Sequence, residues 1–163
     1  MDATLKAKFV ELWNKYFAGA ELPIIFYYTD YESSAELVPP PSAHQCIIGV
    51  LSRVRRGTSL CFEAGSIGCA GGKKYLGFTD QIIPNFEYFL SCGLPGKLEG
   101  ERYKKTPELV RDMMNIMPKF VAPARYIVFK RLDLLEESDN PAASILFCNP
   151  GCSFRPLHSG QLR

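Results

Sequence analysis

Three shortages bound what this 163-residue chain can be. Histidine is scarce, with only His44 and His158, so general-base chemistry has few places to start. Charge of one sign is not in excess: 19 Lys and Arg stand against 17 Asp and Glu, a net +2. That balance leaves no electrostatic footprint for nucleic acid and little attraction to an anionic surface. No apolar run approaches the ~20 residues that a membrane-crossing helix needs. The opening MDATLKAKFVELW lacks the uninterrupted apolar stretch and the small-residue cleavage site of a secretory signal. The expectation is a soluble cytoplasmic domain with neither nucleic acid nor membrane as partner. Apolar residues at 47% and charged residues at 22% exclude disorder and supply a core.

No Cys-x-x-Cys pair exists, although there are six cysteines, at 46, 61, 69, 92, 148 and 152. An even count suggests disulfides only in a secreted context, and none is visible. The closest pair, Cys148 and Cys152, does not have the spacing of zinc ribbons or common iron–sulfur clusters. Free, partly buried thiols are the simpler expectation.

What is present reads as alternating helices and short strands. Residues 2–19 place Leu5, Phe9, Leu12, Trp13, Tyr16 and Phe17 on one helical stripe. Pro23 precedes Ile24 to Thr29, a β-branched and aromatic run that predicts a buried strand. Ser42 predicts the cap of a helix from Ala43 to about Arg56, closed by a left-handed Gly57. Thr58 to Phe62 predicts a second strand, and Asn85 to Cys92 a helix ended by Gly93. Thr106 followed by Pro107 marks the start of a helix to about Met117. Arg125–Arg131 and Ser144–Cys148 predict two more strands. The fold class is therefore α/β (α+β mixed), one domain over residues 1–150 with a mixed sheet of about four short strands.

The densest chemical signal is Gly68-Cys-Ala-Gly71-Gly72-Lys73-Lys74. Glycine lets backbone approach a ligand closely, and free N–H groups at a helix start attract anions. Cys69 beside two lysines would have its thiolate favoured, which suits a nucleophile or a metal ligand. The ligand-binding candidates are Gly68, Cys69, Gly71, Gly72 and Lys73, against a plain tight turn with a small buried thiol. Cys46, Cys61 and Cys69 are candidate metal ligands, provided that the fold brings them together. Arg53, Arg55 and Arg56 complement a helix C-terminus. The aromatic set Phe26, Tyr27, Tyr28, Tyr31, Tyr75, Phe78, Phe86, Tyr88 and Phe89 either lines a pocket or fills the core.

LPIIFYYTD (Leu22–Asp30), GCAGGKKYLGF (Gly68–Phe78), YFLSCG (Tyr88–Gly93), GERYKKTPELV (Gly100–Val110) and ARYIVFKRLDLLE (Ala124–Glu136) resemble the domain of unknown function 169 family. The resemblance runs from about residue 5 to Pro150. It implies relatives rather than a chemistry, and it places Cys69, Gly71, Gly72, Tyr75, Gly77 and Phe78 among motif positions. No cofactor follows from it.

The tail departs from that pattern. Where relatives continue as DVLSGLFTLANF, this chain reads GCSFRPLHSGQLR over residues 151–163. Codons for the former and the start of a following Asp codon, shifted by one inserted G, can be chosen to translate as the latter through its last residue. The expectation is a C-terminally truncated family member with a frameshift-derived tail, in which Cys152, Arg155 and His158 are accidental residues. Uncovered apolar faces would then favour a homo-oligomer.

Three functions follow in order. The first is a binding domain for a small anionic ligand or a metal, centred on Gly68–Lys74. The second is an enzyme using Cys69 as a thiolate nucleophile, and the third is a structural or interaction domain. Sequencing the gene around codon 150 tests the tail: removing one base should restore a frame encoding DVLSGLFTLANF, and a gene without that frame ends the idea.

Overall fold

In the computed structural model, residues 2–147 are described; Cys148, Cys152, Arg155, His158 and the whole 151–163 tail lie outside them. The β-branched and aromatic run after Pro23 forms β1, Ile24–Thr29. Five strands make one mixed sheet in the order β2-β3-β4-β1-β5, where β2 is Glu36–Leu37, β3 Leu60–Phe62, β4 Tyr126–Arg131 and β5 Ala143–Ile145. β2 and β3 run parallel, and the other pairs are antiparallel. The fold class is α/β as expected, with one more strand. That strand, β2, is held where Glu36 N–H donates to Ser59 and Val38 N–H to Cys61, both at 2.9 Å. Two residues are too few to show any period.

The chain packs as two compact units: residues 2–38, 48–63 and 124–147 form one, and Pro39–Ile47 with Ala64–Pro123 the other. The first holds the sheet. β1 pairs with β4 over six residues, from Ile24 opposite Arg131 to Thr29 opposite Tyr126. Strand alternation puts Ile24, Phe26, Leu60, Phe62, Ile127 and Phe129 on one face. There Phe129 meets Phe26 at 5.5 Å and Phe62 edge-on at 5.8 Å between ring centroids. On the opposite face Ile25 clusters with Leu132 and Leu135, joined by Val10 of α1 (Ala3–Tyr16). Asp2 caps α1 by accepting from the Leu5 N–H at 2.9 Å. The expected single stripe divides: Trp13 is buried, whereas Leu5 and Tyr16 are exposed.

Helix α2 spans Ile47–Arg55, so it starts four residues later than the expected Ala43. Ser42 caps nothing, because residues 41–46 are extended and bent and pack their Pro41 and Gln45 against Gly68. The other end is as expected. Gly57 has φ +100°, and Gly57 and Thr58 donate to Val54 and Arg53. Arg53 and Arg55 do more than complement the helix dipole: Arg53 grips Glu36 at 2.7 Å and Arg55 grips Glu21 at 2.5 Å. Both pairs are solvent-exposed, which limits each to under about 1 kcal/mol.

The sheet also holds a charge. Lys130 on β4 is 1% exposed and donates to Asp139 at 2.8 Å. The other Asp139 oxygen accepts from the Tyr27 hydroxyl at 2.5 Å, and the Glu136 N–H adds a third bond at 2.8 Å. Glu136 completes the group, 3.3 Å from the Lys130 ammonium and 2.6 Å from the Ser34 hydroxyl. Burial, reinforced by the Asp139 bond, pushes the Tyr27 phenol far above its ordinary value, so it stays a donor. Burial works against ionising Asp139, but the bonds from Lys130, Tyr27 and the Glu136 backbone outweigh it and hold the carboxyl low.

Removing one partner strands a buried charge, so Asp139→Ala should cost about 3–5 kcal/mol of unfolding free energy in urea titrations. Replacing both members (Lys130→Met with Asp139→Leu) should recover most of it. A carboxyl with lowered folded pKa stabilises above its unfolded value near ~3.9 and loses that as pH falls through the folded one. The wild type should therefore weaken in acid below about pH 4 through this group, and the double replacement should lose that part of its acid sensitivity.

Candidate functional site

The Gly68–Lys74 segment lies in the second unit, and from Ala70 onward it is a helix rather than an open loop. Cys69 takes the N-cap position of α3, Ala70–Tyr75, with extended φ and ψ and no side-chain cap bond. Gly71 and Gly72 are therefore helical, and neither has positive φ. The conformational freedom expected of them is unused. Leu76 and Gly77 donate back to Gly72 and Lys74, each at 3.0 Å, and Gly77 closes the helix at φ +79°.

Each glycine answers to its neighbours. A Cβ on Gly68 would lie 2.8 Å from Pro41 and 3.0 Å from the Gln45 backbone N. One on Gly72 would lie 2.7 Å from the Cys69 sulfur and 2.9 Å from Ile47. A Cβ on Gly77 would strike the Ala122 backbone N at 2.4 Å, where that N–H donates to the Gly77 carbonyl at 2.9 Å. Gly71 alone of these meets nothing within 4 Å.

The candidate thiols have different surroundings. Cys69 is half-buried and packs over Gly72; among the described residues no histidine or carboxylate bonds to it. Cys46 is exposed, just before α2 instead of within it. Cys61 lies buried within β3, and burial pushes its thiol up despite a hydrogen bond from Ser33. Among the described residues no three His, Cys, Asp or Glu side chains form a group able to hold a metal ion. His44 is exposed.

Open space gathers on the far side of α3. Helix α4 is only Phe86–Phe89, and α5, Pro107–Ile116, packs against it. Thr106 caps α5 as its Thr-Pro signature predicts, accepting from the Leu109 N–H at 3.4 Å. Arg111 of α5 joins Glu87 of α4 at 3.2 Å and Glu108 at 2.8 Å. Between these helices and α3 lies a cleft with two lobes. The first, about 250 Å³, is walled by Lys74, Tyr75, Phe86, Met113, Met114, Met117, Lys119 and Phe120 among others. The second, about 200 Å³, is walled by Ala70, Gly71, Gln81, Ile83 and Phe89. Lys74, Tyr75, Ile82 and Phe86 belong to both. A shallower depression of about 410 Å³ lies over the turn from Cys92 to Arg102.

The aromatic set thus divides. Phe26 and Tyr27 serve the sheet, whereas Tyr75, Phe86 and Phe89 line the cleft. Of the ligand-binding candidates only Gly71 reaches the cleft, joined by Lys74 from the same segment. Among the wall residues missed from sequence are Met113 and Met114 of α5 and Met117 just after it. Their only signal was crowding, since Met113, Met114 and Met117 are all the methionines after Met1.

This is an α/β chain whose helical unit encloses a small, mainly apolar cleft. It belongs to the DUF169 family, described as uncharacterised ArCR, whose model matches residues 21–157. The match begins after α1 and runs past Pro150, so its limits differ from those of the resemblance seen in the sequence. Neither the curated proteins nor the solved structures gave a match. No helix among the described residues is long and apolar enough to cross a membrane.

The glycine geometry makes an ordered prediction. Gly71→Ala should be neutral or stabilise by up to about 1 kcal/mol, since helical glycine is costly and the space is open. Gly72→Ala should destabilise by about 1–3 kcal/mol by forcing Cys69 and Ile47 apart. Chemical denaturation of the two variants checks the order.

Proposed function

We propose that this chain is a binding domain for a small, mainly apolar molecule held in the cleft between α3, α4 and α5. The observation that carries the reading is the wall of Lys74, Tyr75, Ile82 and Phe86 common to both lobes, which sets the two side by side. Concave, largely apolar sites with a few polar groups are the usual form of small-ligand pockets. Thioether side chains suit such a wall, because methionine fills irregular space and adapts to its occupant.

The Gly68–Lys74 segment keeps a role, as one side of the cleft rather than as a backbone cradle. Its glycines pack against Pro41, Gln45, Cys69 and Ile47, and its open glycine, Gly71, leaves the second lobe clear. A metal at Cys46, Cys61 and Cys69 draws no support from a described cluster, and a nucleophilic Cys69 none from a bonded base.

Gly71→Trp should fill the second lobe while leaving the fold intact, since tryptophan suits a helix better than glycine. Binding of an apolar fluorescent probe such as anilinonaphthalene sulfonate, followed by fluorescence titration, should weaken by about tenfold or more, on the order of 1.4 kcal/mol. Circular dichroism and melting temperature should stay near those of the wild type. Unchanged probe binding in a folded variant would remove this cleft as the site.

A further inference from the structure

We infer that the cleft is polarised along its length and takes an apolar chain ending in a single negative charge, an inference that rests on the binding reading above. The two lobes differ in chemistry. The second is walled by Ile82, Ile83, Phe86 and Phe89, with Lys74 the one charged residue on its rim. The first adds Lys119, Asp80, Thr79 and Asn115 to the methionine wall. An apolar body therefore gains most in the second lobe, and a polar head finds more partners in the first, where Lys119, Asp80, Thr79 and Asn115 join Lys74.

The sign of the head follows from the lysines. Lys74 lies on the wall common to both lobes and spends one of its three N–H donors on the Asp80 carbonyl at 3.2 Å. Neither Lys74 nor Lys119 has a carboxylate within ion-pair distance among the described residues. Two lysines face one aspartate, Asp80, so the first lobe carries a formal excess of one positive charge. A singly charged anion balances it, a neutral head leaves it unanswered, and a cation adds to it. Lys74 is half-buried and Lys119 exposed, so the head can keep part of its hydration while the tail is covered.

Octanoate, octan-1-ol and octylamine, titrated by displacement of the fluorescent probe, separate the chain from the charge. Octanoate should bind about fivefold tighter than octan-1-ol at low salt, and the gap should close as salt is raised. Lys119→Met and Lys74→Met should each weaken octanoate more than octan-1-ol and so narrow the gap. Equal binding of octanoate and octan-1-ol, or tighter binding of octylamine, would overturn the polarity while the apolar cleft stands. So would a loss of octan-1-ol binding in both lysine variants, which would make the lysines structural. If none of the three compounds binds in a manner sensitive to Gly71→Trp, the binding reading itself falls, and the polarity with it.

Discussion

An ammonium group at 1% exposure is the constraint around which the sheet unit is arranged. Buried there without a carboxylate partner, the Lys130 ammonium would cost several kcal/mol. Asp139 reaches it only because the chain turns back after β4, through the short 3-10 turn Leu132–Leu134, and presents Glu136 and Asp139 to the same ammonium. That return also seats Leu132 and Leu135 against Ile25 and Val10, so ion pair and apolar cluster fix one loop together. Tyr27 brings β1 into the same network, and Ser34 brings in the segment before β2. A buried pair adds little net stability over an apolar replacement of the same size. What it adds here is a penalty on every arrangement of the loop that leaves Lys130 unanswered.

The parts of this unit that could be read from sequence are those governed by local rules. β1 has the bounds its composition implied, because Pro23 starts it and six consecutive strand-favouring residues fill it. α5 begins where Thr106 and Pro107 say it should, and α2 ends at a left-handed Gly57. The start of α2 failed for a tertiary reason. Ser42 has the right chemistry for a cap, but Pro41 and Gln45 are held against Gly68, and a helix there would pull them away. Lys130 had a weak signal, since alternation along YIVFKR places it on the face of Tyr126 and Val128. Its partner nine positions on had none, because a loop aspartate gives no sign of where it will be pulled.

The glycine segment shows the same limit more sharply. Read as a string, Gly68, Gly71 and Gly72 look like one device, a ligand cradle at a helix start around a reactive cysteine, with Gly77 close behind. In the fold they answer to separate demands. Gly68 and Gly72 are set by what would collide with a side chain, Gly77 by its positive φ and its crossing of Ala122. Gly71 has open space beside it. These differ only in neighbours and dihedral angles, and neither is written in a single sequence. The concentration of glycine was legible; its division of labour was not.

That division gives the cleft walls of different stiffness. The α3 wall is pinned from behind: Gly72 is packed under Cys69 and Ile47, and the Gly77 carbonyl is tied to the Ala122 N–H. Little can shift there without breaking backbone contacts. The α5 wall is soft, because Met113, Met114 and Met117 are unbranched and rotate at several bonds. Phe86 stands between the lobes with both walls in reach, on a helix of only four residues that Arg111 holds through Glu87. In the binding role proposed for it, the rigid side would set the position of an occupant and the compliant one its girth. Selectivity would then come from where a polar group falls along the fixed wall, which is the wall that carries Lys74.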